Sequence, residues 1–160
     1  MSAESLALYL NDHLAGSVAA LELLDALAGR VDGTPMEQML RTVRVEVAAD
    51  QDVLRAVLDE AGGEESRLKQ AAAWLSEKLG QAKLAVAGHL HPELDVLEGL
   101  ETLALGIQGK AALWRALGAV AAENPRLSSF RFSSLEARAR TQYEQIEQAR
   151  LNAARAALRG

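Results

Sequence analysis

The residues of this 160-residue chain best suited to chemistry are carboxylates at helical spacing. The most suggestive stripe reads Met39, Val43, Glu46, Asp50, Val53, Val57: two acids four apart interrupt an apolar line. That spacing lets both point at one site, where a cation would relieve their repulsion. The competing reading puts them at a bundle edge, facing water or pairing with neighbours such as Arg44. Glu22 lies among Ala15, Val18, Ala19 and Ala26, with His13 further back on the same stretch. Glu98 and Glu101 follow Leu94 and Leu97, and Leu105 and Gln108 continue the Glu101 line. Glu144 and Glu147 form a Glu-x-x-Glu pair beside the apolar line Leu135, Ala139, Gln142, Ile146, Ala149, Ala153. Hard oxygen donors of this kind suit iron or manganese. The same residues also suit a solvated helix surface.

Other chemistry is excluded or thin. The chain has no cysteine, which removes disulfides and thiolate metal sites. It has no glycine-rich phosphate loop, no Gly-x-Ser-x-Gly elbow and no His-Glu-x-x-His. His89 and His91 sit together before Pro92, as turn or capping residues or as a weak surface metal pair. His13 is too far along its helix from Glu22 for the two to share one metal.

The elements that carry these residues are helices. Alanine (31) and leucine (27) far outnumber valine (10), isoleucine (2) and threonine (4), a composition that favours helix over strand. The apolar periodicity predicts long helices over 3–28, 35–61, 92–122 and 133–158, and a shorter one over 64–87. Gly29 with Asp32-Gly33, Gly62-Gly63, Gly88-to-His91 and Asn124-Pro125 separate them. Thr34-Pro35-Met36-Glu37 and Ser133-Ser134-Leu135-Glu136 read as capping boxes. Short connections make the first and second long helices one antiparallel hairpin, and the third and fourth another. The roughly 30 residues between the hairpins suffice to return the chain to the other end of the bundle.

Four long helices with a central crossover and carboxylates near mid-helix resemble the ferritin-like superfamily. The resemblance covers nearly the whole chain in architecture and is weak in motif. It implies an all-α, single-domain, ferritin-like four-helix bundle. It also implies that Glu22, Glu46, Glu101 and Glu144 occupy the four glutamate positions of a di-metal centre. The imidazole positions depart from the pattern: Ala49 follows Glu46 by three, and Glu147 follows Glu144 by three. Asp50 is displaced by one residue, and Glu147 is an oxygen donor in place of nitrogen.

Three functions follow as expectations. The first is a non-enzymatic bundle of structural or interaction role, without a complete di-metal site and without a cofactor. The second is an iron or manganese carboxylate protein using Glu22, Glu46, Asp50, Glu101, Glu144 and Glu147. The third is a binder of an apolar small molecule. Gly99, Gly106 and Gly109 share one face of the third long helix. Each costs about 1 kcal/mol against alanine there, so the face calls for a reason: close helix contact, within the subunit or in a homo-oligomer, or a ligand slot. Trp74 and Trp114 are expected core or interface anchors.

Charge sets the remaining expectations. Residues 1–65 carry 13 acids and 4 bases, residues 66–125 six of each, and residues 126–160 three acids and seven bases. The basic C-terminal segment has little aromatic interleaving and complements the acidic first half, so no nucleic-acid partner is expected. No apolar run reaches the length of a membrane helix, and the first basic residue is Arg30, which points to the cytoplasm.

Overall fold

The structure is a computed structural model that describes residues 3–63 and 91–159. It is an all-α four-helix bundle: α1 (Ala3–Arg30), α2 (Pro35–Glu60), α3 (Pro92–Ala121) and α4 (Phe132–Ala157), with a 3-10 turn at Pro125–Leu127. None of the described helices is long and apolar enough to cross a membrane. The expected helix over 64–87, with Lys69, Lys78, Lys83, Trp74 and Gly80, lies outside the described residues, as does His89.

Local chemistry sets the helix ends. Thr34 caps α2, its Oγ1 accepting from the Glu37 amide at 3.3 Å. Pro35 fills the first position, where a missing N–H costs nothing. The Glu37 carboxylate reaches back to the Gly33 amide at 2.8 Å, one residue earlier than in a standard capping box. At the other end, the Gly63 amide donates to Leu58 O and the Gly62 amide to Asp59 O. Gly62 takes φ +74°, the left-handed conformation this helix stop requires.

The second expected capping box does not form. α4 starts one residue early, at Phe132, with Arg131 at the cap and no side-chain cap bond. Phe132 is buried against Trp114, their rings 6.2 Å apart, and Glu136 is taken by Arg115 and Arg140 instead. Tertiary packing and ion pairing outweigh the local motif here.

The core follows from which helix ends meet. α1 pairs most extensively with α2 and α3 with α4, while α1 also lies against α3 and α2 against α4. One core cluster joins Leu24 and Leu27 of α1, Leu40 and Val43 of α2, Leu100 and Leu103 of α3, and Ile146 and Ala149 of α4. The other joins Leu10 and Leu14, Leu54 and Leu58, Trp114 and Leu117, and Leu135 and Ala139. The C-terminal half of α1 thus meets the N-terminal halves of α2 and α3, so both neighbours run antiparallel to α1. By the same argument α4 runs antiparallel to α2 and α3. The diagonal pairs α1/α4 and α2/α3 are parallel. The chain therefore leaves α2 at one end of the bundle and enters α3 at the other.

Candidate functional site

The apolar lines on α2 and α4 carry polar residues into the middle of this core. Asp50 of α2 is 2% exposed, and Gln142 of α4, on the line from Leu135 to Ala153, is fully buried. Lys110 reaches them from α3: its Nζ donates to Asp50 Oδ2 at 2.5 Å and also to Gln142 Oε1. The Arg138 guanidinium donates to the other oxygen of Asp50. The Gln142 amide nitrogen donates to Glu46 Oε2 at 3.0 Å and, more weakly, to Asp50 Oδ2 at 3.4 Å.

Two carboxylates thus face two cations across three helices. A buried ion pair repays its desolvation only with close geometry and further hydrogen bonds, and this cluster has both. Burial pushes the Lys110 ammonium below the usual lysine range. Asp50 opposes that shift, while Arg138, which shares the same carboxylate, adds to it.

Beside the network lies a cavity of about 250 Å³. α1 contributes His13, Gly16, Ser17 and Ala20; α2 contributes Val47, Asp50, Gln51 and Leu54. α3 contributes Gly106, Ile107, Gly109, Lys110, Leu113 and Trp114. Asp12 and Gly106, both exposed, also line it, so it communicates with the surface. Most of its wall is apolar. Of its uncharged polar groups, Gln51 donates to Ser17 Oγ at 2.8 Å and Ser17 donates to Leu14 O at 2.6 Å, while the Trp114 indole N–H is buried without a partner among the described residues. His13, half-buried, packs edge-on to the Tyr9 ring at 4.7 Å. Burial lowers its pKa, against the pull of Asp12.

The glycines explain why space persists. Among the described residues, a Cβ added at Gly16, Gly106 or Gly109 would meet nothing within 4 Å. Gly99 differs: its Cβ would lie 2.6 Å from Leu27 Cδ2. The close-contact expectation for the glycine face holds at Gly99, inside the subunit; at Gly106 and Gly109 no described residue of the subunit makes such a contact.

The six sequence-derived carboxylates do not share a site. Glu46 and Asp50 converge, but on Lys110, Arg138 and Gln142. Glu22 is exposed on α1. Glu101 is exposed and 3.3 Å from Arg150, because α3 buries Leu100, Leu103, Ala104 and Ile107 and turns the Glu101–Leu105 line outward. Glu147 pairs with Arg150 at 2.7 Å, and Glu144 is exposed. His91 sits at the start of α3 without a side-chain cap bond. Among the described residues no group of three or more His, Asp or Glu side chains is placed to hold a metal ion. The donor set present does not fit the di-metal centre that the family resemblance implies.

Sequence reasoning missed Lys110 and Arg138. Two signals point to them. Arg138 and Gln142 are four apart beside the buried line of α4, and Lys110 stands three after Ile107 and four before Trp114 on the buried face of α3. The chain matches no protein-family model, no curated protein and no solved structure.

Proposed function

We propose that the protein binds an apolar small molecule in the cavity between α1, α2 and α3. The cavity is the observation that carries this reading: three helices leave about 250 Å³ behind a mostly apolar wall. Protein interiors are otherwise close-packed, and an engineered apolar cavity of about 150 Å³ takes up benzene. The volume here accommodates a bicyclic molecule the size of indole. Glycine at 16, 106 and 109 forgoes helix stability on the walls of one space, a cost that ligand binding would offset.

The charges lining the cavity favour a neutral ligand. Asp50 is compensated by Lys110 and Arg138, so an ionised group brought alongside would lack a counter-charge. The parallel α2/α3 diagonal, spanned by one long crossover, supports the ferritin-like reading of the architecture. A cytoplasmic location rests on the sequence alone.

Calorimetric titration with indole tests the reading. Saturable one-to-one binding by the wild-type chain, lost in Gly109→Leu while that variant stays folded, is the expected result. Absence of saturable heat from indole at two well-separated temperatures, up to its solubility limit, refutes it, because the heat-capacity change of apolar burial keeps the enthalpy from vanishing at both.

A further inference from the structure

Every basic residue in the described parts of the chain is an arginine except one. Residues 3–63 and 91–159 contain twelve arginines and a single lysine, Lys110. That lysine lines the cavity, with its side chain 14% exposed. The two cations are not interchangeable. A guanidinium stays charged and unreactive at neutral pH, whereas an amine can lose its proton and act as a nucleophile.

The surroundings of Lys110 are those that activate an amine. The apolar wall from Ile107, Leu113 and Trp114 withholds solvent from the ammonium. Arg138 competes for the same carboxylate and places a second positive charge nearby. An apolar pocket and a neighbouring cation are the two recognised ways of lowering a lysine's basicity for covalent chemistry. Asp50 Oδ2, 2.5 Å from Nζ, is positioned to take up the proton.

We propose that Lys110 captures a small hydrophobic aldehyde or ketone as an imine, with the carbonyl compound's body seated in the cavity. The inference rests on the cavity-binding reading and names its ligand class. Asp50 accepts a proton from the ammonium, and the freed lone pair of Nζ forms a bond to the carbonyl carbon. The carbonyl π pair moves to oxygen, which takes a proton from the now cationic nitrogen. The resulting carbinolamine hydroxyl leaves as water with the proton returned by Asp50, and a carbon–nitrogen double bond remains. No oxidant or reductant enters, and water reverses the sequence.

Reductive trapping tests it. The full chain is incubated at neutral pH with 2-naphthaldehyde and sodium cyanoborohydride, and alkylation at each lysine is followed by peptide mass spectrometry. Lys110 should react about tenfold faster than the side-chain amine of free Nα-acetyl-lysine amide under the same conditions, the scale on which desolvation favours a free amine over a solvated ammonium. The rate should saturate with aldehyde and fall when indole competes. Lys110→Arg should lose the trapped adduct at that peptide. A Lys110 that reacts no faster than free Nα-acetyl-lysine amide overturns the proposal, because a purely structural ion pair shields its amine. If indole still binds in that case, the amine chemistry alone fails; if indole also fails to bind, the cavity reading fails with it.

Discussion

The three glycines of the α3 face give opposite responses to the same substitution, and the size of each response follows from the structure. Alanine in place of glycine inside a helix gains about 1 kcal/mol from propensity. At Gly106 and Gly109 the added methyl meets nothing within 4 Å among the described residues, so the full gain should appear at each. At Gly99 the methyl lies 2.6 Å from Leu27 Cδ2, and Leu27 is fully buried. Overpacking of that kind costs about 1–3 kcal/mol, which leaves Gly99→Ala between neutral and about 2 kcal/mol destabilised after the propensity gain. For a chain of this length, each kcal/mol moves the Tm by about 2–4 °C. Urea and thermal unfolding of the three single variants measure these shifts, with an unchanged urea dependence as the check that unfolding stays two-state. Gly106→Ala and Gly109→Ala should each raise the Tm, and Gly99→Ala should hold or lower it. If Gly106→Ala or Gly109→Ala destabilises as much as Gly99→Ala, the helices meet closely there and the cavity argument collapses.

Two further predictions concern the charged groups. Asp50→Ala leaves Lys110 and Arg138 without their carboxylate and should cost about 3–5 kcal/mol, whereas Asp52→Ala, two residues on at an exposed pair with Arg55, should stay within about 0.5 kcal/mol; equal urea midpoints for the two variants would contradict the buried network. His13 is held below its ordinary pKa of 6.5 by burial, so the unfolded chain binds that proton first as the pH falls. Stability should therefore drop as the pH passes below 6.5, and His13→Gln should flatten that part of the pH profile. Superimposable profiles for the two proteins would show that His13 is solvated in the fold.

Much of the fold was legible because its signals are local. Thr34-Pro35 and Gly62-Gly63 mark helix ends through backbone chemistry that needs no tertiary partner. The buried line of α4, Leu135 through Ala153, follows from spacing alone. The site was legible only in part. Glu46 and Asp50 stood out as acids on an apolar stripe, but their partners come from two other helices, Lys110 some 60 residues away and Arg138 nearly 90. Periodicity finds a face; it does not identify what a face meets. The Glu101 line failed for a related reason. α3 is apolar around much of its circumference, so Leu105, 69% exposed, counted toward a buried line that does not exist. The glycine face divided because one end touches Leu27 and the other borders open space, a distinction that depends on where α1 lies.

The claim at the centre of this account is that the space beside Asp50 and Lys110 takes up a small molecule. Indole titrated into isotope-labelled protein, followed by amide chemical shifts, measures this at each position. The account predicts saturable shifts concentrated at His13, Gly16, Gln51, Gly106, Gly109 and Trp114, with Val45 and Leu151 on the outer surface unmoved. Saturation without shifts at the cavity residues, or no saturable shifts at all, would contradict it.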